Sequence, residues 1–231
     1  MTPDDRTRQP FVDELDSLQE RALEMAGIVE MLVGRAARAV LDRDATVEDR
    51  IREDDRRVDA LEMAIDEQVV EMLALYQPMA GDLRLILTVL KLANDLERVG
   101  DHASNMARAA RRLADAPPLP EIRELAEMAE VTQEMLSDAL ASFVGRNSGT
   151  ARMVCQTDDR VDDLRSSMYR ILLTHMLEDP RRITGALELL LVSQNLERIA
   201  DLATNISEDV VFLVEGRSIK HHAEDAAAGS G

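Results

Sequence analysis

Glu97 and Asp101 stand four positions apart, and Glu197 and Asp201 repeat the pair one hundred positions later. The surrounding stretches match as well. Asn94-Asp95-Leu96-Glu97-Arg98-Val99-Gly100-Asp101-His102-Ala103-Ser104-Asn105 returns as Gln194-Asn195-Leu196-Glu197-Arg198-Ile199-Ala200-Asp201-Leu202-Ala203-Thr204-Asn205. A repeat of this quality means that one structural unit occurs twice, with its polar residues copied along with its apolar ones. On a helix each residue turns the side chain by about 100°. With Leu96 at zero, the apolar seam falls on one side, and Asn94, Glu97, Asp101 and Asn105 form an oxygen-rich stripe on the far side. The repeat places Gln194, Glu197, Asp201 and Asn205 likewise. The stripe therefore lies outside the bundle core and is no buried catalytic dyad.

A second set of acids follows the same spacing. Asp55 and Asp59, continued by Glu62 and Asp66, border one apolar face, and Asp158 and Asp162 take matching places because Val58 and Leu61 align with Val161 and Leu164. Like charges at i,i+4 destabilise a helix by a few tenths of a kcal/mol each. Four such pairs in register call for compensation. It comes either from arginines (Arg57, Arg98, Arg160 and Arg198 lie close in sequence) or from a bound cation. Carboxylate and amide oxygens are hard ligands that suit Mg²⁺, Mn²⁺, Ca²⁺ or iron, and zinc through carboxylates alone, since no Cys/His set is present.

Other chemistries lack their residues. A ferritin-like oxidase needs Glu-x-x-His, but Val99 and Leu172 precede His102 and His175 by three. His102, replaced by Leu202 in the repeat, reads as a flanking surface residue, and His221 and His222 as solvated. No Gly-rich phosphate loop or Ser/His/Asp set appears. Cys155 reads as a core thiol; being alone, it leaves no intramolecular disulfide to form, which fits a reducing compartment.

The elements that must carry these residues are helices. The chain has 231 residues, 2% aromatics, no Trp and an apolar mass of Leu, Ala, Val, Ile and Met. Its net charge of −18 disfavours nucleic acid and anionic lipid. Met1 to Pro10 has no apolar signal-peptide core, and the best apolar run, Leu187 to Val192, contains Glu188, so a cytoplasmic protein without membrane insertion is expected. Periodicity predicts helices over about 11–41, from a Thr46/Asp49 capping pair to before Pro78, and over 82–114, 121–143, 150–177 and 182–214. Residues 1–10 read as a loose lead-in. The Pro cluster between Asp115 and Pro120 divides two units of one plan. The expected fold is all-α: two tandem, pseudo-repeated three-helix bundles of six long antiparallel helices. The first bundle spans 10–115, the second 120–216, and 217–231 forms a disordered tail.

Leu61-Glu-Met-Ala-Ile-Asp-Glu67, Gln77-Pro-Met-Ala-Gly-Asp-Leu-Arg84, Leu96-Glu-Arg-Val-Gly-Asp101 and Leu196-Glu-Arg-Ile-Ala-Asp201 together resemble the PhoU family of phosphate-transport accessory proteins, over about Phe11 to Gly216. The resemblance implies metal held on the bundle surface through Glu/Asp-x-x-x-Asp motifs. Its ligands would be Asp55, Asp59, Glu97 and Asp101 in the first half, and Asp158, Asp162, Glu197 and Asp201 in the second. The departure at Ala200, where the first half has Gly100, should remove no ligand. The metal would be Fe, Zn, Mg or Mn. The resemblance further implies a negative regulator of the phosphate-starvation response. Such a protein relays the state of a phosphate ABC transporter, through its ATP-binding subunit, to a sensor histidine kinase, and is expected as a homodimer. Two alternatives stand beside it: a metal-dependent hydrolytic enzyme using the same carboxylates, and a metal-free helical adaptor. The related single-bundle permease accessory class fits less well, because this chain carries two bundles.

Overall fold

The structure, a computed structural model, describes residues 3–219, with side-chain environments from residue 9 onward. Six helices follow in order: α1 (Pro3–Asp42), α2 (Glu48–Tyr76), α3 (Ala80–Asp115), α4 (Arg123–Gly145), α5 (Ser148–Glu178) and α6 (Ile183–Glu215), with single 3₁₀ turns at Ala45–Val47 and Pro180–Arg182. Among the described residues there is no strand. The fold is the all-α arrangement of two similar three-helix bundles expected from the repeat.

Each helix follows from a simple pattern. In α3 the residues Leu92, Leu96, Val99, Ala103, Met106, Ala110 and Leu113 recur in steps of three and four, and all are buried. Val192, Leu196, Ile199, Ala203, Ile206 and Val210 give α6 the same buried stripe. The two repeated helices form the centre of the molecule. α3 packs against α1, α2 and α6, while α6 packs against α3, α4 and α5. One continuous apolar core therefore runs through both bundles. Alanines at 93, 103, 107, 110, 200 and 203, all essentially inaccessible, leave room for close packing around this centre.

The ends depart from expectation in instructive places. Residues 3–10 are helical, not a loose lead-in, and α1 continues through Pro10. A proline there gives up one N–H···O=C bond, a cost the long helix around it absorbs. The start of α2 is not capped by a Thr46/Asp49 pair. Asp44 does the capping one turn earlier, its Oδ1 accepting from the Thr46 amide and hydroxyl, each at 2.8 Å. At α5, Asn147 Oδ1 accepts from the amides of Gly149 and Thr150 at 3.0 and 3.2 Å. Gly216 ends α6 with φ of +68°, where a side chain would be strained. Residues 217–219 lie past the last helix. The rest of the expected tail, with His221 and His222, lies outside the described residues.

Candidate metal grooves

The two acidic stripes meet across the α2–α3 groove in the first half and the α5–α6 groove in the second. In the first groove Asp55, from α2, is half-buried and leans onto α3, where Ser104 Oγ donates to its Oδ2 at 2.7 Å. Its other oxygen lies 2.9 Å from where a Cβ on Gly100 would be. Gly100 thus has a direct role: it leaves the space in which a carboxylate from the neighbouring helix rests against the backbone of α3. Burial raises the pKa of Asp55; the Ser104 bond opposes this, and the negative charges of Asp59 and Asp101 add to it. Glu97 is raised by burial and then by Asp101, Asp59, Glu62 and Asp55. The charges of Asp59 and Asp101 thus reach both Asp55 and Glu97.

The second groove repeats the arrangement. Burial pushes the Asp158 carboxyl up to about 6, with Asp201, Asp162, Asp159 and Glu197 adding to the shift. Glu197 and Asp201 are raised chiefly by burial. Here arginines intervene: Arg165 Nη1 stands 3.5 Å from Glu197 Oε1, and Arg198 lies 3.7 Å from both Glu197 and Asp201. Glu197 Oε2 is buried without a hydrogen bond, and so is Thr204 Oγ1, the counterpart of Ser104. At the place of Gly100 the second half carries Ala200, which is fully buried.

Arginine compensation accounts for only part of the negative charge. Arg57 pairs with Glu24 and Asp54, Arg98 with Asp95, and Arg160 with Glu127, all outside the two clusters. Of the four arginines considered from sequence, Arg198 alone pairs with a clustered carboxylate. Among the described residues, Asp55, Asp59, Glu97 and Asp101 make no ion pair within 4 Å. This set of hard oxygens without ion pairs has the donor chemistry for a hard cation, and Glu197 Oε2, which accepts no hydrogen bond, adds to it. The carboxylates are not preassembled: among the described residues, no three His, Cys, Asp or Glu side chains form a coordination group. A cation would draw them together by rotation of Asp59, Asp101 and Asp162, which are exposed and free to turn.

Two side chains lie elsewhere than expected. His102 is not a flanking surface residue; its Nδ1 is 2.9 Å from Asn195 Oδ1, and it bridges α3 to α6 while half-buried. Cys155 is not a core thiol. It is half-buried at the edge of the second groove, its Sγ 4.0 Å from the Thr204 carbonyl, and burial beside Glu208 and Asp158 pushes it up to about 11. Reasoning from sequence missed Ser104 as a groove residue, although its pairing with Thr204 in the repeat carried the signal.

The PhoU domain family model matches residues 22–110 and 125–210. A phosphate-specific transport system accessory protein PhoU homolog of Aquifex aeolicus (strain VF5) is 38% identical over 208 residues, covering 90% of this chain and 94% of the relative. A homolog of the same description from Pseudomonas aeruginosa is 38% identical over 214 residues, covering 92% of this chain and 88% of the relative. Among solved structures, PhoU from Pseudomonas aeruginosa superposes with a TM-score of 0.87 at 38% identity, covering 90% of this chain and all of that one. The phosphate transport system regulatory protein PhoU from Streptococcus pneumoniae gives 0.83 at 26% identity, covering 91% and 99%.

Proposed function

Since the chain belongs to the PhoU family, we propose that it is an accessory protein of a phosphate transport system and restrains phosphate uptake and the starvation response. The observation that carries this reading is the match of both bundles to relatives that bear the accessory name across about nine-tenths of the chain. It acts as an adaptor in the cytoplasm, between the ATP-binding subunit of the transporter and a sensor histidine kinase, and it works as a homodimer. No described helix is long and apolar enough to cross a membrane.

The grooves serve this adaptor as cation sites. Asp55, Asp59, Glu97 and Asp101 would hold a cation in the first half, and Asp158, Asp162, Glu197 and Asp201 in the second. Mg²⁺, Mn²⁺, Zn²⁺ and iron all suit such oxygens. The bound ion would supply charge neutralisation: it would tie α2 to α3 and α5 to α6 and fix the outer faces that partners meet. The enzyme reading is the weaker one. The relatives are named as accessory or regulatory proteins, and the groove residues include no lysine or histidine placed as a base.

A pull-down from phosphate-replete cells with the tagged full chain tests the adaptor. The transporter ATPase and the kinase are the expected captures, and recovery of neither would count against the reading.

A further inference from the structure

The two halves part company at one place. With Val58 aligned to Val161 and Leu61 to Leu164, Glu62, Asp66 and Glu67 of α2 correspond to Arg165, Tyr169 and Arg170 of α5. Three acids of the first half have become two arginines and a tyrosine in the second. This happens in a chain of net charge −18.

The exchanged residues line a cleft of about 530 Å³ between α5 and α6, together with Ser166, Leu190 and Gln194. None of its lining residues is acidic. The volume lies within the range of small-molecule sites and far exceeds what a bare phosphate fills. The guanidinium forks suit the oxygens of a phosphate group. Arg170 donates to Ser167 at 3.0 Å and Arg165 reaches Glu197 at 3.5 Å, so each retains further N–H donors. Tyr169 is 59% exposed, leaving ring surface on which a flat ligand can stack. Leu190 supplies apolar surface, and Gln194 an amide that both donates and accepts.

We infer that the α5–α6 cleft binds a nucleotide: a phosphorylated small molecule whose phosphate pairs with Arg165 and Arg170 and whose planar base lies against Tyr169. The site adjoins the second carboxylate groove through Arg165 but uses none of its acids. It stands without the transport reading, because it rests on the cleft and on the divergence of the repeat alone.

Calorimetric titration of the full chain with AMP, ADP, ATP and inorganic phosphate tests this at near-physiological salt. At least one nucleotide is expected to bind with a dissociation constant below about 1 mM. Arg170→Glu, which restores the first-half charge, is expected to weaken it by at least about tenfold. Tyr169→Ala should weaken the nucleotide while leaving any inorganic phosphate binding unchanged. Arg181→Glu, at an exposed arginine outside the cleft, should change neither. Unaltered melting curves by circular dichroism establish that the variants are folded. Absence of nucleotide binding would overturn the inference. So would nucleotide binding that survives Arg170→Glu, or that falls equally with Arg181→Glu and Arg170→Glu. Inorganic phosphate binding as tightly as the nucleotides, with no effect of Tyr169→Ala, would also overturn it.

Discussion

Gly100 and Asp158 let the two grooves be tested one at a time. A methyl group at position 100 would press on Asp55 Oδ1, the movable end of a side chain. Gly100→Ala is therefore expected to cost little stability, since the helix gains roughly 1 kcal/mol of propensity against the displacement. It should instead loosen the Asp55–Ser104 bond and lower cation affinity in the first groove. Titration with Mn²⁺ checks this, and an unchanged first-groove affinity would contradict it. Asp158 gives a pH signature. Its folded-state pKa, about 6, lies above the ordinary aspartate value of 3.8. The stability it contributes is thus fully present below about pH 3.8 and is lost as pH rises through about 6. Asp158→Asn should raise stability at pH 7 by about 1 kcal/mol, a figure discounted because the group is only half-buried. It should also flatten the gain expected on acidification from pH 7 to 5. Calorimetric melts in chelator decide this, and a variant with the wild-type pH slope would contradict it.

At the scale of elements, the repeat made the central helices legible. The three-and-four spacing of Leu92, Leu96 and Val99 on α3 marked the buried side, and the outward stripe followed by subtraction. Leu96 is wholly inaccessible. Leu96→Ala should therefore destabilise by about 2–5 kcal/mol, read as a lower urea midpoint at unchanged slope. A loss under about 1 kcal/mol would show the α3 seam to be loosely packed. What the periodicity did not reveal depends on neighbours distant in sequence. Thr46 looked like a cap, but the chain enters α2 through a 3₁₀ turn whose cap is Asp44. His102 looked peripheral because Leu202 replaces it, yet its partner Asn195 lies on the other repeated helix. The role of Gly100 could not be read along α3, since what fills its space comes from α2. Residues 1–10 looked like a loose lead-in, yet α1 begins at Pro3 and passes through Pro10.

For the whole molecule, the net charge of −18 and two grooves of mutually repelling carboxylates mean that the folded state carries stored electrostatic cost. A cation that binds only the folded chain should raise its stability by about 2.7 kcal/mol at a hundredfold excess over its dissociation constant. Mn²⁺ or Mg²⁺ is expected to raise the melting temperature, and chelator to reverse the change. Asp101→Ala combined with Asp201→Ala should remove most of it. Equal shifts in wild type and double variant would place the cation elsewhere.

The relation to phosphate is tested most directly in the host. The gene is deleted in a strain carrying a phosphate-starvation reporter, and reporter output is measured in phosphate-replete medium. Strong derepression, reversed by a plasmid copy of the full chain, is the predicted result. A reporter that stays off in the deletion strain would contradict the account.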